Sequence, residues 1–194
     1  MTRTAAIGVV AVVPAAGAST RFGTMKLLAD VGGAPLLERT LASLLDAGVT
    51  RVVVVTRPGD TFAAVPSMSD PRVAEIVNPD PARGMFSSIQ AGLAAAGGDI
   101  VLVLPADMPF VAPETVVAVI ARAAAAGSLV VPVHAGRRGH PIAIPRPLGD
   151  ALLALEPATT LKDGLASLGP SAIMLDVPDP GVLRDVDVTA DLGR

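Results

Sequence analysis

Apolar residues recur along this chain in two rhythms, and the alternation between them predicts an ordered series of strands and helices. Short apolar runs at 7–13, 51–56, 73–77 and 100–104 read as strands, and the β-branched run 7–13 is of the kind covered on both faces of a sheet. Between them lie segments whose apolar positions recur every three or four residues, the mark of a helix with one buried side. Pro35 opens one such segment, which runs to 47 and is closed by Gly48. A short helix is expected at 61–65, and Ser87 or Ser88 is expected to cap another that reaches 96 and stops at Gly97-Gly98. Pro113 opens a helix that ends at Gly127. Runs at 129–133 and 141–144 flank Ala135-Gly136-Arg137-Arg138-Gly139, which reads as a hairpin or an arm with a tight bend. Late helices at 148–155 and 161–168 and a strand at 172–177 complete the series. This βαβ alternation implies an α/β fold, a Rossmann-like three-layer sandwich with a mostly parallel sheet.

Composition narrows the class. The 194 residues, half of them hydrophobic, are expected to form one domain over 1–194, a length that buries roughly 70% of the unfolded chain's surface. No apolar stretch reaches the ~18 residues of a membrane helix. Arg3, the apolar stretch 5–13 and small residues through Ser19 together have the outline of a secretory leader, but cleavage there would remove the first strand, and the rest reads as a cytoplasmic enzyme. The absence of cysteine excludes disulfides, thiolate catalysis and cysteine-ligated metal centres. A net charge of −3 and 2% aromatic residues leave neither a basic stripe nor a stacking platform, so nucleic acid is not expected as a partner.

Two distant segments carry candidate chemistry. Pro14-Ala15-Ala16-Gly17 begins a glycine-punctuated loop that ends in Arg21-Phe22-Gly23-Thr24-Met25-Lys26. A loop of this kind after a buried strand can turn several backbone N–H groups into one concavity and so bind an anion, with Arg21 and Lys26 adding fixed positive charge. A flexible turn with two solvated cations is the alternative. The spacing is not that of a Walker loop, because five residues separate Gly17 from Gly23 and Lys26 follows three later. The second segment is Leu102-Val103-Leu104-Pro105-Ala106-Asp107-Met108-Pro109, where an aspartate between prolines follows an apolar strand. Mg²⁺ is commonly held by one or two carboxylates plus substrate phosphates, and Asp107 suits that role, although a turn residue would look the same. Asp185 and Asp187, two apart, offer a second carboxylate, or are two solvated acids in a terminal strand. Since ligands of such sheets lie beyond the carboxyl ends of the strands, the loop and Asp107 can face one crevice.

Taken together, these motifs resemble the MobA-like nucleotidyltransferases over nearly the whole chain, and most closely the molybdenum cofactor cytidylyltransferases. Besides the loop and the Asp-Met-Pro at Asp107, the resemblance includes Gly32-Gly33-Ala34-Pro35-Leu36-Leu37, Asn78 followed by Gly84-Met85 and Ser87-Ser88, Gly139-His140-Pro141 and the late Asp-x-Asp. It implies a nucleotide-diphospho-sugar transferase-like fold and transfer of a nucleoside monophosphate to an acceptor phosphate, with release of pyrophosphate. Ala15, Ala16 and Gly17 would then serve as backbone donors, and Arg21 and Lys26 as triphosphate ligands. Asp107, with Asp185 or Asp187, would hold Mg²⁺, or Mn²⁺ in its place. Ser87 and Ser88 would bond the nucleotide or the acceptor phosphate, unless they are caps. His140 would lie near the acceptor, unless it is structural. Arg137 and Arg138 could meet an anionic pterin phosphate, unless they are merely solvated cations at a bend, and His134 is expected to be structural or exposed. In the resemblance an alanine at position 16 accompanies cytidylyl transfer, which favours CTP over GTP and ATP. The implied acceptor is of the molybdopterin type, with a maturation chaperone for molybdoenzymes as a further partner.

Pro14, Ala106 and Val188-Thr189-Ala190-Asp191 depart from the family pattern and leave the acceptor open. Guanylyl transfer to another phosphorylated acceptor is one alternative. A binding protein without turnover is another, and it would hold nucleotide without releasing pyrophosphate. An oxidoreductase relative is a third, for which no dinucleotide fingerprint exists in the chain.

Overall fold

The computed structural model describes residues 7–17, 25–156 and 159–186. Their eight strands form one sheet. In chain order the strands are β1 (Val9–Pro14), β2 (Arg51–Thr56), β3 (Val73–Val77), β4 (Ile100–Val103), β5 (Leu129–His134), β6 (Arg137–Arg138), β7 (Ile142–Pro145) and β8 (Ala172–Asp176). The helices are α1 (Met25–Leu28), α2 (Leu36–Asp46), α3 (Met85–Ala95), α4 (Pro113–Ala126), α5 (Arg146–Leu153) and α6 (Leu161–Leu168).

Strict alternation along the central strands sorts their side chains into two cores. Ala11, Val13, Val52, Val54 and Leu102 pack with Leu37, Leu41 and Leu44 of α2 and Val116 and Val119 of α4. Their neighbours Val10, Val12, Val53, Val55, Val101 and Val103 pack on the opposite face with Phe86, Ile89 and Leu93 of α3 and Leu152 of α5. Because both faces are covered, every residue of β1 is buried, which is why its sequence reads as a continuous apolar run.

Strand order runs β3-β2-β1-β4-β7-β5. The pairs β1·β2, β2·β3, β1·β4 and β5·β8 are parallel, whereas β7 runs antiparallel to both β4 and β5. Val133 pairs with Arg138 on one side and Asp176 on the other, so β6 and β8 flank β5 on opposite edges. After β3 the chain returns to the far side of β1, which makes the gap between β1 and β4 the topological switch point. A ligand crevice is expected outside the carboxyl ends of those two strands.

Three sequence expectations change. The short helix lies at Pro66–Ser69 as a 3-10 turn, not at 61–65, because the Glu38 carboxylate accepts from both the N–H and the Oγ of Ser67 and nucleates the turn there. Pro35 is the residue before α2 and lies outside its first turn. Ser87 and Ser88 do not cap α3. The helix starts two residues earlier, at Met85, after Gly84, whose φ of 94° is in the region that favours glycine.

Candidate active site

The loop after β1 and the loop after β4 meet at the switch point. Extra ladder-like bonds carry the sheet past its formal strand ends. Leu104 N–H donates to Val12 (3.1 Å), Ala106 N–H to Pro14 (3.3 Å) and Ala15 N–H to Val55 (2.8 Å). The last bond consumes one of the three expected loop donors, that of Ala15. Ala16 is buried and Gly17 is exposed. Thr40 of α2 is fully buried and donates from Oγ1 to the Ala106 carbonyl (3.0 Å), so a core helix fixes the backbone just before Asp107.

At the centre of the crevice, Lys26 Nζ lies 2.9 Å from Asp107 Oδ2, joining residues 81 apart in sequence. Lys26 is only 9% exposed, although it stands at the start of a short helix beside a loop. An ion pair this sheltered from water is stronger than a surface one, and each partner compensates the burial of the other. Arg21 and Asp187 lie outside the described residues.

His140 also belongs to this centre. Its N–H donates to the Val182 carbonyl (3.0 Å), and its peptide bond to Pro141 is cis. Burial pushes its imidazole down to about 4, against the pull of the Asp107 carboxylate, which favours the charged form. At neutral pH the ring is therefore uncharged. The residue is thus structural through its backbone, and its ring feels the Asp107 carboxylate. His134, expected to be structural or exposed, has Nδ1 3.0 Å from the Val177 carbonyl. Arg137 and Arg138 are both exposed on β6.

A second cluster lies where β3 meets α3. Asn78, which is buried, donates from Nδ2 to Ser87 Oγ (2.9 Å) and Ser88 Oγ (3.0 Å). Its Oδ1 accepts from the Asp80 N–H (3.0 Å), and its own N–H donates to the Thr56 carbonyl (2.8 Å). Ser87 Oγ also donates to the Gly84 carbonyl (2.7 Å). Ser87 and Ser88 are therefore held from within by one amide, and Asn78 organises the whole turn. Sequence reading noted Asn78 only as part of a motif; the signal available was an asparagine directly between a strand and a proline, the setting of an Asx turn.

Asp185 is exposed and follows the 3-10 turn Pro180–Leu183. The N–H of its neighbour Val186 donates to the Asp107 carbonyl (3.0 Å), so the late acidic segment does run beside Asp107. Among the described residues no three His, Cys, Asp or Glu side chains converge as a metal cage. One or two carboxylates with oxygen donors fit a hard divalent ion such as Mg²⁺ or Mn²⁺ whose remaining ligands come from a substrate's phosphates. No helix among the described residues is long and apolar enough to cross a membrane.

Comparison with known proteins agrees with this geometry. Residues 11–171 match the MobA-like NTP transferase domain. The chain is 31% identical over 162 residues to a phosphoenolpyruvate guanylyltransferase of Geodermatophilus obscurus, covering 81% of this chain and 68% of that protein. It is 30% identical over 194 residues to a 2-C-methyl-D-erythritol 4-phosphate cytidylyltransferase of Nocardia farcinica, covering 96% and 73%. Among solved structures, Rv0371c of Mycobacterium tuberculosis H37Rv superposes with a TM-score of 0.79 at 26% identity, covering 96% of this chain and 95% of that one. The same mycobacterial protein in complex with manganese gives 0.77 at 26% identity, with 95% of each chain covered. By the extent of the family match, and with a loop and an aspartate meeting at the switch point of the sheet, the chain belongs to the MobA-like NTP transferase family and is a nucleotidyltransferase.

Proposed function

We propose that the protein transfers a nucleoside monophosphate, CMP from CTP by preference, to the phosphate of a small organic acceptor of the molybdopterin type, and releases pyrophosphate. The observation that carries this reading is the Lys26–Asp107 pair at the switch point, a cation and a carboxylate held together where a triphosphate and its metal would enter. In the reaction an acceptor phosphate oxygen bonds to the α-phosphorus as the bond from that phosphorus to the bridging oxygen of the β-phosphate breaks. The demand on the protein is positioning and charge stabilisation.

Ala16 and Gly17 offer backbone N–H groups to the triphosphate, and Arg21 and Lys26 offer charge. A divalent ion bound at Asp107 would neutralise developing charge on the phosphates. Lys26 leaves Asp107 for the phosphates when nucleotide enters, so positive charge follows the substrate and Asp107 is freed as an oxygen ligand. Neutral His140 orients the acceptor. Ala16 supports CTP because its side chain occupies space that a larger base would use. The two curated relatives, named for guanylyl and cytidylyl transfer, leave phosphoenolpyruvate and 2-C-methyl-D-erythritol 4-phosphate as the acceptors to compare.

Pyrophosphate release is the test, run with each of the four NTPs, Mg²⁺ or Mn²⁺, and each acceptor in turn, molybdopterin included. Release that needs both CTP and molybdopterin confirms the reading. Release with GTP, or with a different acceptor, keeps nucleotidyl transfer and replaces the substrate. Folded protein that binds nucleotide and releases no pyrophosphate with any pair overturns it in favour of a binding protein.

A further inference from the structure

We propose that residues 179–186 act as a clasp that sets the second carboxylate of the metal site beside Asp107, with Asp179 and Arg184 as positioning residues. The proposal rests on the reading of Asp107 as a metal ligand. Asp179 divides its carboxylate between two segments. Oδ2 accepts from the Ala112 N–H (2.9 Å) and Oδ1 from the Gly181 N–H (2.8 Å), which ties the stretch after Asp107 to the start of the late turn. Gly181 is pressed so closely on that stretch that a Cβ there would overlap the Phe110 carbonyl. The Arg184 guanidinium lies over the Phe110 ring, 3.9 Å from its centroid. Val186 N–H then reaches the Asp107 carbonyl (3.0 Å), while the Val182 carbonyl accepts from His140 (3.0 Å).

These contacts order an irregular stretch against the loop that bears Asp107, some seventy residues away in sequence, and they hold Asp185 between anchored neighbours. A ligand on a free loop would have to be ordered when the ion arrives, at a cost in backbone entropy. With the clasp closed, that ordering is completed during folding and no longer opposes binding. Neither Asp179 nor Arg184 needs to touch the ion. Their effect passes through the backbone of 185–186 and of Asp107.

The test is Mn²⁺ affinity, read by electron paramagnetic resonance of the free ion, with saturating α,β-methylene-CTP and, separately, its guanosine counterpart. Asp179→Ala and Arg184→Met are compared with Asp107→Ala and with Asp99→Ala. Asp99 is the control because its carboxylate makes a similar bond to a backbone N–H, that of Gly8 (2.8 Å), at the opposite end of β4. The clasp predicts Mn²⁺ binding weakened about 10-fold or more in both clasp variants, the range found for groups that orient metal ligands, with metal-free affinity for the analogue within about twofold of wild type and no change in Asp99→Ala. If Asp179→Ala fails to fold, Arg184→Met carries the test. Wild-type Mn²⁺ affinity in the clasp variants, with loss only in Asp107→Ala, overturns the clasp and spares the metal reading. Wild-type affinity in Asp107→Ala as well overturns the metal reading on which it rests.

Discussion

The two ends of β4 each carry an aspartate, and their difference separates scaffold from site. At the amino end, Asp99 Oδ2 accepts from the Gly8 N–H at 2.8 Å, a bond to main chain at the exposed rim of the sheet. At the carboxyl end, Asp107 Oδ2 meets the ammonium of Lys26 at 2.9 Å, a partner on a long flexible side chain that can swing to a phosphate. The same residue type beside the same strand thus faces main chain at one end and an exchangeable cation at the other. Asp107 lies where the strand order reverses, so its partner is a group that substrate can compete for.

Substituting each aspartate with alanine should break that comparison most sharply. Asp107→Ala should lower kcat for pyrophosphate release by roughly 10³-fold, as loss of a charge-stabilising group in a site does. Asp99→Ala should keep kcat within about twofold and cost about 1 kcal/mol in chemical denaturation, the worth of one hydrogen bond. Equal activity losses would mean that Asp107 acts only through the fold.

Lys26→Met asks whether the cation is truly exchangeable. Turnover should fall about 10²-fold. Mn²⁺ binding without nucleotide should become tighter, because the ammonium no longer competes for Asp107. Unchanged metal affinity would show that Lys26 and the ion do not share that carboxylate.

Asn78→Ala tests the second cluster, where one buried amide holds two serines. Stability should fall by about 1–3 kcal/mol from unsatisfied buried groups. The KM for nucleotide should rise more than kcat falls if Ser87 and Ser88 face the substrate; a loss confined to stability would make the cluster scaffold, like Asp99.

The smallest effect concerns acid. His140 titrates at about 4 in the folded protein against 6.5 ordinarily, so the unfolded chain binds the proton more readily. Its contribution is fully favourable above pH 6.5 and is lost as pH falls from 6.5 towards 4. His140→Asn should flatten that decline relative to wild type in melting curves at pH 7, 6 and 5. Parallel curves would place the ring in contact with solvent.

Most of the frame was legible in the chain. Residues 51–56 and 73–77 form strands at the expected limits, Pro113 and Gly127 bound α4 as expected, and the bend at 135–139 is a hairpin. Continuous valine runs and proline and glycine punctuation are local signals, and local physics honoured them. Errors came where a distant group decided. Glu38 moved the short turn to Pro66–Ser69, and Asn78 turned two supposed caps into an interior network. Asp179, directly before Pro180, carried the signal of a capped turn, but nothing in the sequence pointed to its bond with the distant Ala112 N–H.

By itself, then, the order of residues determined which segments are strands and helices, that the sheet is mostly parallel, and that an anion loop and an aspartate follow apolar strands, because backbone sterics and the alternation of buried positions act over a few residues. Only tertiary structure decided that β1 and β4 are neighbours across the switch point, that Lys26 is buried against Asp107, and that residues 179–186 run beside them. Those outcomes depend on loop closure between segments some eighty residues apart. Their energy comes from contacts that exist only once both cores have formed.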